Sequence, residues 1–455
     1  MSLVKSFKED KKFYKRLFLI TLPIVIQNLI ASSLNMLDTM MIGQVGEVEL
    51  ASVGIANQYY FLFNLIIMGI SAGCGVFIAQ LWGKKDEKNI KRTLGVGLIG
   101  GVLATLVFGL IGLLIPEKIM AIFNIDPKVI EIGSEYLVIV VMSYLFTSIT
   151  FNYAAALRSV GNTVLPMWAS FIGLLTNGFL NYVLIFGKFG APVLGVKGAA
   201  LATVTARVFE CTIILIGVYS KKNVLRAKLS EFVGISKDVF KGLYKVTLPI
   251  ILNEACWGLG NVTYAAIYGR IGTGASASIQ ICTTIMNLFM IITFGLANAS
   301  VVIIGNEIGA NREEEGKIYA KRISKLAIIV SILLAGILAL SSSSILSMFN
   351  VSENVKRDSL YILYIYSAIL IIRVYNAVMI VGVLRGGGDA TYGSLVQGIT
   401  LWCIGIPLAF IGAFVIKLPV YLVVLMTFAE EAIKVVVMLK RFKSGKWIHN
   451  MVKDI

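Results

Sequence analysis

Twelve apolar runs, each of about 20 residues or more, recur along this chain of 455 residues, and about 20 is what a helix needs to cross the hydrocarbon of a bilayer. They fall at about 17–43, 51–81, 94–115, 134–157, 165–187, 195–219, 243–271, 277–308, 323–345, 360–384, 392–416 and 418–440. Composition agrees: 57% of residues are apolar and only 15% are charged, against about 25% charged in a soluble domain. The same balance excludes disorder, because a disordered chain lacks apolar surface to bury. The first run is longer than the roughly 7–15 apolar residues of a signal peptide and no small-residue cleavage site follows it, so it reads as a span. The expected fold is an all-α integral membrane protein of twelve transmembrane helices.

A formal net charge of +16 would point a soluble protein towards nucleic acid. Here the location of the charges decides. With the N-terminus inside, 30 of the 41 Lys and Arg fall in the head, the inner loops, the linker and the tail, 8 fall in outer loops, and Arg207, Arg373 and Lys434 lie within spans. The positive-inside rule then places both termini in the cytoplasm of a multi-pass protein of the plasma membrane. Anionic lipid of the inner leaflet is the expected neighbour of the basic excess, and no nucleic-acid partner is expected. Cys74, Cys211, Cys256, Cys282 and Cys403 all sit in apolar runs without paired or metal-type spacing, and His449 is the one histidine. Neither a disulfide framework nor a zinc site is expected.

The chain repeats itself. A shift of 226 residues lays Thr21-Leu22-Pro23-Ile24 on Thr247-Leu248-Pro249-Ile250, then Gly43 on Gly269, Gly69 on Gly295, Gly83 on Gly309 and Phe123-Asn124 on Phe349-Asn350. A shift of 227 lays Leu157-Arg158 on Leu384-Arg385. Matches at one offset over so long a stretch mark a duplication. Each copy holds six spans, so both enter the membrane in the same orientation, as two six-helix bundles related by a pseudo-twofold axis along the membrane normal. The domains are then 1–220, a cytoplasmic linker 221–245, and 246–455. Bundles so related can rock against each other, which is a transporter plan.

Several short motifs now carry a resemblance. Asp38-Thr39-Met40-Met41-Ile42-Gly43 after Pro23, Leu157-Arg158-Ser159-Val160-Gly161-Asn162-Thr163, Leu384-Arg385-Gly386-Gly387-Gly388-Asp389, and Asn181-Tyr182 before Gly187-Lys188-Phe189-Gly190 together resemble the multidrug and toxic compound extrusion family over nearly the whole chain. The resemblance implies an antiporter that exports cationic, amphipathic organic compounds in exchange for inward protons or sodium, with no cofactor and no enzymatic step. Consistently, no G-x-x-x-x-G-K-[ST] loop occurs. The alternative is a flippase or exporter of lipid-linked or anionic precursors on the same architecture. That would call for several basic residues lining a cleft, and only Arg207 and Arg373 are on offer. An intramembrane enzyme would need His-rich metal ligands or paired aspartates, and neither pattern is present. Nothing demands an oligomeric interface, so a monomer is the default.

A charge at the centre of a span costs about 2.5–3.5 kcal/mol on the lenient scale, which makes intramembrane acids and bases functional candidates. Asp38 lies five residues inside the outer end of span one, about 7–8 Å deep. Asn177 and Asn181, four apart on span five, point to one side of that helix in the same layer, and Thr203 lies eight residues into span six. The family resemblance carries its N-terminal cation site onto Asp38, Asn177, Asn181 and Thr203. Carboxylate, amide and hydroxyl oxygens suit a sodium ion, and a carboxyl in apolar surroundings also suits a proton, so the ion stays open. The two asparagines can equally be read as hydrogen-bonded bridges between helices.

The halves differ at their acids. At the 226 shift Asp38 falls on Tyr264, and Glu254 falls on Asn28. Glu254 matches the family's acid on span seven, but the aspartate that some members carry on span ten is here Val374, beside Arg373. Glu254 and Arg373 reach similar depth from opposite sides and are expected to pair, which would compete with a cation there. Arg207 with Glu210, and Glu430 and Glu431 with Lys434, read as local ion pairs. Pro23 and Pro249 permit bends in equivalent spans. Tyr59, Phe63, Phe151, Trp257, Met286 and Met290 are expected to line an adaptable cleft, since methionine surfaces repack and aromatic faces attract organic cations.

Overall fold

The computed structural model describes residues 2–220, 223–349 and 351–453. Asn350 of the repeat and Lys221 and Lys222 of the linker lie outside that set. In chain order the helices are α1 (Ser2–Gly43), α2 (Glu47–Lys84), α3 (Glu87–Leu114), α4 (Pro116–Ala121), α5 (Pro127–Val140), α6 (Ser143–Ser159), α7 (Val164–Phe186), α8 (Val196–Tyr219), α9 (Lys237–Ile271), α10 (Thr273–Gly309), α11 (Glu313–Leu346), α12 (Glu353–Ala377), α13 (Ala390–Thr400), α14 (Ile406–Phe410) and α15 (Val420–Lys443). Among the described residues the only strand-like pairing is one bridge between Gly388 and Ile448.

These helices account for the expected spans. Among the described residues nine are long and apolar enough to cross a membrane by themselves, and α5 with α6 forms one more crossing broken by a 51° bend. The remaining two, α9 and α15, carry the chain's polar load: Asn253, Glu254 and Asn261 on α9, and Glu430, Glu431 and Lys434 on α15. Buried polar groups in a span mark function more often than failure to span.

The duplication is written in the backbone. The turn after α2 takes Lys85 to φ 63° and the turn after α10 takes Asn311 to φ 60°, at positions 226 apart. Gly161 (φ 88°) and Gly388 (φ 89°) end the fourth and tenth spans, 227 apart, where a left-handed residue without Cβ strain is required. The one-residue change of register between these pairs has a physical seat. The tenth span widens into π-helical turns over Val378–Leu384, and an i→i+5 turn holds one residue more than an α-turn.

The chain divides into two compact units, one of Leu22–Thr247 and one of the residues up to Thr21 together with those from Leu248 on. Both boundaries fall inside long helices, next to Pro23 in α1 and Pro249 in α9. The linker belongs to the first unit: Lys91 Nζ meets Glu231 Oε1 at 2.8 Å, and the Phe232 backbone lies against Gly95 of α3. The Lys91 ammonium and the Lys228 backbone N–H, 2.7 Å from Glu231 Oε2, hold the exposed Glu231 carboxyl below the usual carboxylate range. In the second unit the opening turns of α1 bury Phe13 and Leu17. Phe13 packs on Tyr319, ring centroids 4.7 Å apart, and Arg16 Nη1 reaches the buried Glu307 at 3.2 Å.

Candidate functional site

Near the C-terminal end of α1 the Asp38 carboxylate is met by α7. Asn181 donates through Nδ2 to Asp38 Oδ1 at 2.5 Å and to Asn177 Oδ1 at 3.1 Å. Asn177 in turn donates to Thr203 Oγ1 of α8 at 3.4 Å. The structure thus joins all four residues of the expected set in one hydrogen-bonded chain across three helices. The i, i+4 spacing of the asparagines puts both on one face of α7, which packs along α8. Both asparagines are fully buried. Among the described residues no group donates to Asn181 Oδ1. Tyr136 of α5 adds a hydroxyl beside Thr203, a member of the site that no sequence spacing pointed to.

A second polar path leads away from this site within the same unit. Arg207, which lies within electrostatic reach of Asp38, pairs with Glu210 one turn on, Nη1 to Oε2 2.7 Å. Ser170 Oγ donates to Glu210 Oε1 at 2.6 Å, Gln27 Nε2 donates to Ser170 Oγ at 3.1 Å, and Arg158 Nη1 donates to Gln27 Oε1 at 3.2 Å. Four helices, α1, α6, α7 and α8, are stitched by it. Arg207 and Glu210 therefore do more than pair locally: Glu210 ties α8 to α7, and its loss of charge would strand Arg207.

A family model named MatE matches residues 23–183 and 249–411, one block on each copy of the repeat. The chain belongs to the MatE family. It is thus a multi-pass membrane protein of a transporter family that is not enzymatic. Its curated relatives include "Probable multidrug resistance protein NorM" of Thermotoga maritima, 24% identical over 454 residues, covering 98% of this chain and 96% of that one. "Probable multidrug resistance protein YoeA" of Bacillus subtilis is 23% identical over 431 residues, covering 92% and 91%. Among solved structures, a MATE protein in a bent conformation superposes with a TM-score of 0.85 at 17% identity, covering 95% of this chain and 96% of that one. The same protein type in a straight conformation gives 0.84 at 18%, with the same coverage. These likenesses show that the MatE chain has the twelve-helix, two-bundle fold read from its sequence.

In the second unit of this MatE protein the expected partner of Glu254 is corrected. Glu254 Oε1 pairs with Arg385 Nη2 at 2.8 Å, and Arg373 instead faces Glu431, Tyr268 and Tyr366. Arg373 lies twelve residues before Arg385 on the same span, about 18 Å along a helix axis, too far to share its place. At the 227 shift Arg158 falls on Arg385, and each reaches its own unit's proline-bearing span: Arg158 meets Gln27, and Arg385 meets Glu254, one position beyond Asn253, the equivalent of Gln27 at the 226 shift. Both pairs are 131 residues apart in sequence, and both tie a unit's proline-bearing span to the end of its fourth.

Four of the expected cleft residues are core. Phe63 is fully buried and stacks on Tyr144 with ring centroids 4.4 Å apart, and Tyr59 donates its hydroxyl to the Phe108 carbonyl at 2.8 Å. Met286 and Met290 are buried within α10 packing. Each fills the bundle interior because α2 and α10 are central and covered on most sides, a position that apolar periodicity alone does not separate from a cleft wall. Phe151 and Trp257 are half-buried.

Proposed function

We propose that this protein is a secondary antiporter that exports cationic, amphipathic organic compounds in exchange for an inward-moving proton or sodium ion, by alternating access. The observation that carries the reading is the Asp38–Asn181–Asn177–Thr203 chain, a single carboxylate linked to neutral oxygens across three helices. Asp38 binds the ion from the outer side. Neutralising the carboxylate removes the reason for Asn181 to be held at 2.5 Å and releases α1 from α7. Pro23 of α1 lets that span bend, since a proline leaves one backbone bond unmade. Arg207 keeps Glu210 as partner at 2.7 Å throughout, so taking up the ion strands no buried charge.

One charge falling through about 100 mV supplies about 2.3 kcal/mol, enough for about a fiftyfold gradient of a neutral solute. The protein sits in the plasma membrane as a monomer, with both termini in the cytoplasm and anionic lipid against its basic inner surface. The names of the multidrug resistance relatives favour drug-like substrates over lipid-linked or anionic precursors. So does the polar inventory of the spans, where Arg207, Arg385 and Lys434 each already have an acid beside them. Dye efflux from vesicles under an imposed proton or sodium gradient tests the reading and identifies the ion. Asp38→Asn is expected to fold and to lose gradient-driven efflux; full efflux in that variant overturns the mechanism.

A further inference from the structure

The residues that follow α15 turn back onto the second unit and lie against its backbone. Trp447 is 1% exposed and Val452 is fully buried. Trp447 stacks on Phe442 at the end of α15, ring centroids 5.7 Å apart. Beneath it the tenth span ends in Gly386-Gly387-Gly388. A methyl on Gly387 would collide with the Trp447 ring and carbonyl, and one on Gly388 with the His449 carbonyl. The His449 N–H donates to the Gly387 carbonyl at 2.7 Å, beside the bridge that pairs Gly388 with Ile448. Further on, Asn450 Nδ2 donates to the Ile308 carbonyl at 2.9 Å and to Asn311 Oδ1 at 2.7 Å, in the turn between α10 and α11. Asp389, directly after the glycines, holds Arg441 Nε of α15 at 2.7 Å, and Arg385, directly before them, holds Glu254.

Three glycines in succession, after the π-helical turns of Val378–Leu384, give the tenth span an end with little hold of its own, because glycine gives up the most backbone freedom on ordering. The last carbonyls of a helix also have no partner within it. Here the His449 N–H and the Asn450 amide supply donors to the ends of two spans, and the indole covers the glycines, burying about 150–250 Å². Spans eight, ten and twelve have the same parity, so their C-terminal ends share one membrane face, and one short segment touches all three. The first unit is built alike. After α8, Leu225 and Ala227 are buried, Tyr219 Oη donates to the Ala227 carbonyl at 2.9 Å, and the Phe232 carbonyl occupies the place of a Gly95 methyl. In both units the chain leaving the last span beds on bare glycine backbone.

We propose that residues 445–452 are a permanent strap, which fastens the ends of α10, the tenth span and α15 into one block and stays seated while the carrier works. Its use in transport rests on the antiport reading; the fastening itself does not. Release would bare the Trp447 indole and take a donor from two span ends at once, so the segment is held as core and is not poised as a lid. Through the glycines it also fixes Arg385 and Asp389, which tie the tenth span to α9 and α15. The block therefore carries four spans of the second unit, and Trp447 is its central positioning residue.

Hydrogen–deuterium exchange of the purified full-length protein in detergent tests the block. In wild type, residues 305–312, 384–390 and 445–452 are expected to exchange slowly; fast exchange of 445–452 overturns the proposal. Trp447→Ala is expected to speed all three stretches by about tenfold or more and to leave residues 75–90 of the first unit unchanged. Trp447→Phe is expected to keep most of the protection. A speed-up confined to 445–452 overturns the proposal. Asn450→Ala removes only the bonds to Ile308 and Asn311, and it serves if Trp447→Ala does not fold: unchanged exchange at 305–312 overturns the fastening. Permanence is tested in vesicles by joining Asn311→Cys to Asn450→Cys with a short bismaleimide, with treated wild type as the control for the native cysteines. The linked protein is expected to export dye at the rate of the unlinked double variant, and loss of efflux on linking overturns the permanent strap. Failure of gradient-driven efflux in the wild type sinks the antiport reading alone, and the exchange rates still decide the fastening.

Discussion

The two bundles began as one sequence and now handle buried charge in different ways. In the first, the acid stands on the opening span as Asp38, and neutral amides reach it from α7. In the second, that place is Tyr264, and the acids have moved to the last span, where a lysine lies between them. The inner ties diverge in the same sense: Arg158 holds a neutral Gln27, whereas Arg385 holds the charged Glu254. The first site is thus a carboxylate among neutral amides, and the second cluster encloses a nearly balanced set of charges. A lone carboxylate changes its surroundings when it is neutralised; one acid among several paired charges changes them little. On the proposed mechanism, that difference makes Asp38 the group whose occupancy would move a helix.

The comparison breaks first at Asp38. Asp38→Asn is expected to lower gradient-driven dye efflux to background, while Glu430→Gln, which removes one acid of a paired set, leaves a measurable fraction; equal losses in vesicles would erase the distinction. Next in size is Lys434→Met, which leaves the buried Glu430 without a cation and should destabilise the protein by about 3–5 kcal/mol. Combining it with Glu430→Gln should recover part of that loss, read as the midpoint of thermal unfolding in detergent. The inner ties sharpen the contrast further. Arg385→Gln leaves Glu254 unpaired and should cost about 3 kcal/mol or more, whereas Arg158→Gln exchanges a bond to a neutral amide and should cost about 1–2 kcal/mol. Thr203→Ala, at the weak 3.4 Å end of the chain, should change efflux only a few-fold.

The smallest effect is expected at the linker. Because the Glu231 carboxyl is held below its usual range in the folded state, its contribution is present above the unfolded value and is lost as pH falls through the folded one. Glu231→Gln should speed protease cleavage of the linker slightly at neutral pH, and the difference from wild type should vanish in acid.

Much of the site was readable before the structure because its information is local and periodic. Asp38 is an acid in an apolar run, Asn177 and Asn181 share a helix face at i, i+4, and depth counted from the span ends puts them in one layer with Thr203. Where the reading failed, it failed on quantities that depth does not fix. Glu254 and Arg373 sit at comparable depths along their spans, yet the pair forms with Arg385, whose equivalent Arg158 likewise meets its own unit's proline-bearing span. Tyr59, Phe63, Met286 and Met290 have the chemistry of a drug-binding wall but lie in the covered interior of α2 and α10. Glu430, Glu431 and Lys434 read as a local pair because i, i+4 spacing is all that one helix reveals; Tyr264 and Asn376 come from other spans.

The sequence by itself determined the membrane, the number of crossings and the duplication, because a bilayer demands about 20 apolar residues per span and a repeat preserves its offset. It also determined which groups carry a charge costly enough to need a reason. Only the tertiary structure decided who pairs with whom and where each unit ends, with the boundaries inside α1 and α9. The physical reason is that partners across helices depend on rotation about each helix axis and on single-residue insertions such as the π-turns of Val378–Leu384. An apolar lipid-facing or core-facing stripe constrains those rotations only loosely.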